Sequence, residues 1–167
     1  MNLPMNTLIW HQFGAAIDML ENAILACPDE LWGDRIRDTE YWYRAYHTVF
    51  YLDCYLSESV DVFAPPPPFT ADELDERGLL PDRVYTKDEV LAYLGHGRKK
   101  CRTTISEMTE HRAAETCGFD WLDISVAELL LYNMRHVQHH AAQLNLLLRQ
   151  GGHAATRWVR KTDLALA

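Results

Sequence analysis

The stretch SVAELLLYNMRHVQHHAAQLNLLLRQ, residues 125–150, decides the fold. Ser125 can accept a hydrogen bond from the backbone N–H of Glu128 while the Glu128 side chain reaches back to Ser125, a capping box that starts a helix. Gly151 and Gly152 follow Gln150 and predict a left-handed cap at its end. A helix of about 25 residues, near 38 Å at about 1.5 Å per residue, is expected. Four-three spacing puts Leu129, Asn133, His136, His140, Gln143 and Leu147 on one seam. Its four central positions are polar, and burying unpaired polar groups costs about 1 to 3 kcal/mol each, so a ligand or a hydrogen-bond network is implied.

Working outward, Thr86 with Glu89 opens a second long helix, with Leu91, Leu94, Arg98, Cys101, Ile105 and Met108 along its seam. Thr70 with Glu73 has the same pattern and predicts a short helical segment. Nearer the N-terminus, Phe13, Ile17, Leu20 and Ile24 form an apolar stripe after a candidate cap at Asn6, ending before Pro28. Tyr43, His47, Phe50 and Cys54 form another after Asp38 or Thr39. Strand alternation is absent. The predicted fold class is all-α, a four-helix bundle in one domain over residues 1–167.

Roughly a dozen residues join the first pair of helices and the last pair, which suits antiparallel neighbours. The link over residues 59–85 is longer and contains Pro65, Pro66, Pro67 and Pro68, which favour an extended path. Such a crossover can run the bundle's length, so the expected winding is up-down-down-up. The tail, residues 154–167 with Trp158 and Val159, is expected to pack on the outside.

The net charge of −8, from 24 acidic and 16 basic residues, argues against nucleic-acid and anionic-membrane partners. The one basic cluster, Arg98, Lys99, Lys100 and Arg102, points several ways on a helix and reads as a solvated face. Residues 1–8 lack a basic leader with an apolar core, and no window approaches a membrane span, so a cytoplasmic protein is expected. Cys27, Cys54, Cys101 and Cys117 have no CxxC pairing, and reduced thiols are expected.

His136 and His140 stack on adjacent turns of one helix face, where two neutral imidazoles can converge on one ion. His47 sits on the seam of another helix and is the candidate third ligand. Three histidines leave coordination positions open, as in reactive metal sites. One divalent ion is expected, zinc or nickel first, although imidazole also suits iron and copper. Asn133 and Gln143, a turn either side of the pair, are candidates to orient a ligand. Arg98 could meet a substrate carboxylate and Tyr43 and Tyr46 could donate to a bound substrate, against the plainer readings of snorkelling and packing. Specific catalytic residues are not assigned. Cys54, seven residues from His47, is about 10 Å along the axis and too far to share the ion. His11, His96, His111, His139 and His153 read as peripheral, and no histidine has a Glu three residues before it, which argues against a di-iron bundle.

Tyr46-His47-Thr48-Val49-Phe50-Tyr51-Leu52-Asp53 and Arg135-His136-Val137-Gln138-His139-His140-Ala141-Ala142-Gln143-Leu144 together resemble the DinB-like superfamily. The resemblance extends over most of the chain, including the Pro-rich loop before Gly78-Leu79-Leu80-Pro81. It implies an up-down-down-up bundle, often a homodimer, with a divalent metal on the positions matching His47, His136 and His140. Some relatives are transferases or isomerases that use a low-molecular-weight thiol cosubstrate on small-molecule electrophiles. Two functions are therefore expected to compete: such a metal-dependent enzyme, or a non-catalytic metal-binding module in stress response or interaction.

Overall fold

A computed structural model of the chain describes residues 4–33, 40–75, 77 and 81–166. Among them are six α-helices, α1 (Met5–Ala26), α2 (Asp29–Trp32), α3 (Tyr41–Cys54), α4 (Lys87–Glu107), α5 (Glu110–Ala114) and α6 (Val126–Gln150), and one 3-10 turn at Asp72–Leu74. The described residues form no strand beyond two isolated bridges, Ser59 with Gly118 and Thr116 with Ser125. The protein is all-helical.

The two capping boxes form as expected: Thr86 and Glu89 start α4, and Ser125 and Glu128 start α6. The third does not. Thr70 Oγ1 donates to Asp72 at 2.6 Å, the 3-10 turn is preceded by Ala71, and the Glu73 carboxylate points away to a tertiary partner described below. Asn6 lies inside α1, which begins after Pro4, and its amide donates to the Met108 carbonyl. The candidate caps Asp38 and Thr39, and residues 78–80, lie outside the described residues; α3 itself is preceded by Glu40. At the end of α6 only Gly152 is left-handed, with φ of 81°, while Gly151 stays at −78°.

Each of the four long helices packs on two others: α1 on α6 and α4, and α3 on α6 and α4. Cross-helix bonds fix which ends meet. Asn6 at the start of α1 reaches Met108 at the end of α4, and Lys87 at the start of α4 reaches Cys27 and Asp29 just past the end of α1. Along α3 and α6, Arg44 meets Gln143, His47 meets His136, and Leu52 meets Asn133. Between α3 and α4, Tyr93 and Lys100 both bond the buried Asp53 carboxylate.

Trp10, Phe13, Ile17 and Leu20 of α1, Tyr46, Val49 and Phe50 of α3, Leu94, Cys101 and Ile105 of α4, and Val137, Ala141, Leu144 and Leu148 of α6 fill the core. This corrects the expected seam of α6. The row that faces inward is Leu130, Asn133, Val137, Ala141, Leu144 and Leu148, while His136, His140, Gln143 and Leu147 lie one position round, half-buried. On α3, likewise, Tyr43, His47 and Tyr51 are half-buried beside fully buried Tyr46 and Phe50. Both helices thus carry a polar and aromatic row at the rim of the core, and the two rows face each other.

The basic cluster is dispersed. Arg98 is paired with Asp18 and Glu21 on α1, Lys100 with Asp53, and the Arg102 guanidinium donates to the Leu166 carbonyl. All four cysteines are buried and unpaired. The tail lies along α1: Thr162 N–H donates to the His11 carbonyl, Trp10 Nε1 to Leu164, and Gln12 to Arg160. A Cβ on Gly14 would stand 2.5 Å from the Thr162 methyl, so glycine makes this close approach possible. Val159 is partly buried against the core, whereas Trp158 is 69% exposed. No helix among the described residues is long and apolar enough to cross a membrane.

Candidate metal centre

His47 projects from the middle of α3 toward His136 and His140, which share a face of α6 because they are one turn apart. One ring nitrogen from each of the three lies within 4.8 Å of the other two, and among the described residues no other group of His, Cys, Asp and Glu meets that criterion. The Nε2 atoms of His47 and His136 are 3.4 Å apart. Two nitrogens of one tetrahedral ion, each at about 2.0–2.1 Å from it, stand roughly 3.3–3.4 Å apart, so this spacing is what a shared ion requires.

The remaining ring atoms fix which nitrogens are available. His47 Nδ1 is 2.5 Å from Glu73 Oε1; the carboxylate can only accept, so Nδ1 carries the proton and Nε2 keeps its lone pair. His140 Nδ1 lies 2.7 Å from Gln143 Oε1, and the amide oxygen likewise draws the proton to Nδ1. His136 Nδ1 is buried with no hydrogen-bond partner. A buried imidazole with one nitrogen unsatisfied and the other against a second imidazole loses hydrogen bonding that a cation at Nε2 would offset. The donor set therefore fits a divalent metal, with carboxylate and amide acceptors behind two of the three ligands.

Glu73 comes from the 3-10 turn in the link between α3 and α4, and its side chain is only 4% exposed. Besides His47 it accepts from the Tyr43 hydroxyl at 3.1 Å, and its backbone carbonyl accepts from the Tyr51 hydroxyl at 3.3 Å. Arg44 donates to Gln143 Oε1 and reaches within 3.5 Å of His140 Nδ1. Burial pushes the His136 imidazole down to about 3, assisted by the neighbouring histidines. Burial likewise takes His140 down to about 4, against the opposing bond to Gln143. Both rings are neutral at pH 7 and thus competent ligands. Burial also raises Tyr43 and Tyr51, the latter to about 12, with the Glu73 charge adding to both.

Of the residues expected at the site, His47, His136, His140, Gln143 and Tyr43 come together. Asn133 is fully buried a turn before His136 and donates to the Leu52 carbonyl at 3.0 Å, which ties α6 to α3. Tyr46 is fully buried and its hydroxyl donates to the Thr70 carbonyl, so it packs beneath the site. Arg98 is placed elsewhere: its guanidinium is held by two carboxylates of α1, leaving it committed to the α1–α4 contact. His139 is exposed and bonds the Gln143 amide. Sequence reasoning missed Glu73, Arg44 and Tyr51. Arg44 and Tyr51 lie three residues before and four after His47, on its own helix face, and that spacing was a usable signal. Glu73 carried none beyond its pairing with Thr70.

Fold and site together define a class: an all-helical protein with a three-histidine cluster, on two facing helices, that could hold a metal ion. The family model of the DinB superfamily matches residues 9–144, the greater part of the chain, and the protein belongs to that superfamily. Among curated proteins, none matches the chain.

Proposed function

We propose that the chain is a single DinB-like domain, wound as an up-down-down-up four-helix bundle with residues 59–85 as the crossover. It binds one divalent ion, zinc or nickel, through Nε2 of His47, His136 and His140. Its activity is that of a metal-dependent enzyme that uses a low-molecular-weight thiol on a small electrophile, either as a transferase that keeps the adduct or as an isomerase that adds the thiol and releases it again. The end-to-end pairings of α1 with α4 and α3 with α6 support the winding.

The observation that carries the functional reading is the coincidence of two features at one place. One nitrogen from each of three imidazoles lies within 4.8 Å of the other two, and a cavity of about 230 Å³ opens directly on His47 and His136. A bound divalent ion would supply the positive charge that holds a thiol as its thiolate near neutral pH. The protein's own residues do the rest. Glu73 keeps the His47 proton on Nδ1, Gln143 does the same for His140, and Arg44 holds Gln143 in place. Tyr51 lines the cavity beside His47, ring centroids 4.9 Å apart.

A non-catalytic metal-binding module in stress response is the second reading, and the open cavity favours the enzyme over it. Residence in the cytoplasm as a homodimer, without nucleic-acid or membrane partners, completes the proposal, resting on the acidic balance and the family resemblance. Elemental analysis is expected to find about one equivalent of divalent metal in the wild type and much less in His136→Ala. Equal metal in both would refute the assignment. Metal-dependent consumption of a thiol with chlorodinitrobenzene, or thiol-dependent conversion of maleate to fumarate, separates the enzyme from the module.

A further inference from the structure

Apart from His47 and His136, the cavity at the histidine cluster is lined by four aromatic side chains, Tyr51, Tyr55, Trp121 and Tyr132. We propose that it takes a single planar conjugated ring whose one oxygen or sulfur substituent, turned toward the histidines, is the only group that can carry charge. This makes the electrophile or thiol of the proposed reaction a one-ring aromatic or quinone-like compound, and it rests on that reading of the site.

Size sets the first limit. An apolar cavity of about 150 Å³ accommodates benzene, so about 230 Å³ holds one ring with a short substituent. Shape sets the second. Tyr55 and Tyr132 meet at 85° with centroids 5.4 Å apart, while Tyr51 and Tyr55 are tilted by 34°, so both faces and edges are presented to a guest ring. Charge sets the third. Aromatic walls also suit a cation, but here one wall is the candidate site of a divalent ion on neutral ligands. The nearby carboxylate that could balance a guest cation, Glu73, is already engaged by His47 and Tyr43. Negative charge on the ring itself would meet the negative faces of four aromatic rings, which leaves an uncharged ring body whose oxygen or sulfur, the one end that can bear negative charge, faces the histidines.

The outer wall is fixed in advance. Trp121 lies in the link before α6, whose neighbour Phe119 is buried against Tyr55 with centroids 5.3 Å apart. At Gly118 an added Cβ would stand 2.1 Å from the Glu58 carbonyl oxygen, so backbone meets backbone there. A wall held this way loses little freedom when a ring docks. Trp121 itself is 55% exposed, so its truncation leaves the core intact.

The test uses the full chain after its metal content has been measured. Phenylmethanethiol and cyclohexylmethanethiol, matched in size and close in thiol acidity, are titrated calorimetrically while the Trp121 indole N–H resonance is followed, assigned by its loss in Trp121→Ala. Phenylmethanethiol is expected to bind about tenfold tighter and to shift that resonance by ring current. Trp121→Ala and Tyr132→Leu are expected to abolish the preference without changing metal content. Equal affinity for both thiols, or a preference that survives both substitutions, overturns the proposal. Should the wild type take up no metal, the metal reading fails alone. Phenol against cyclohexanol then poses the same question, with a Trp121-dependent preference supporting the ring site and equal binding overturning it.

Discussion

Glu73 is almost closed off from solvent, yet it carries a carboxylate into a position bordered by two tyrosines and an imidazole. Its energetic role is to hold His47 in one tautomer and one orientation. Removing the charge while keeping the shape isolates that role: Glu73→Gln is expected to weaken metal affinity by about 10–100-fold. Competition against a chromophoric chelator measures it, and an affinity within twofold of wild type would mean that Glu73 only packs. The same residue scale fixes the pH response of the metal-free protein. Folded His136 and His140 titrate far below the unfolded value of 6.5, at about 3 and about 4. Above about pH 6.5 both states are neutral at these positions and stability is complete. As pH falls from there toward 4, the unfolded chain binds protons that the folded chain refuses, and stability drops by on the order of a few kcal/mol. Urea midpoints at pH 7 and pH 5 are expected to fall more in the chelator-treated wild type than in His136→Gln; parallel falls would sink this account.

At the scale of elements, the link between α5 and α6 is the part most dependent on one backbone contact. Gly118→Ala forces a methyl against the Glu58 carbonyl, backbone against backbone, which neither side can relieve by changing rotamer. The substitution is expected to cost about 1–3 kcal/mol and to displace Trp121, read as a lowered urea midpoint with a shifted Trp121 resonance. Wild-type behaviour in both would remove the contact from the account. Elements differ in how far the sequence reveals them. The boxes at Thr86 and Ser125 were legible because a cap involves only four consecutive residues. Thr70 with Glu73 had the same letters, but His47 and Tyr43 drew the carboxylate away, and no local pattern encodes that competition. Helices α2 and α5, of four and five residues, are too short for periodicity to register. On α6 the spacing could not separate His136 and His140 from Val137 and Ala141 as the inward row, since both rows repeat at four. Composition decides that: the apolar row buries and the polar row takes the rim. The histidines were therefore found for a partly wrong reason, as a polar core rather than a polar edge facing another polar edge.

Across the whole molecule, the candidate site ties together segments far apart in sequence. His47 stands on α3, His136 and His140 on α6, and Glu73 holds the link that leads to α4. An ion that binds only this arrangement stabilises everything that maintains it, because the unfolded chain offers the same histidines without their mutual placement. With free metal at about 100 times the dissociation constant, mass action adds about 2.7 kcal/mol. For a domain of this size that is a rise in Tm on the order of 5–10 °C, since about 1 kcal/mol moves Tm by about 2–4 °C. Calorimetric scans of chelator-treated protein, with and without added zinc or nickel, are expected to show that rise in the wild type and not in His136→Ala. Glu73→Gln is expected to recover it only at about 10–100-fold higher metal, in step with its weaker affinity. A wild-type Tm indifferent to either ion would leave the three rings as a hydrogen-bonded cluster at the rim of the core, and a rise that persists in His136→Ala would place the ion elsewhere.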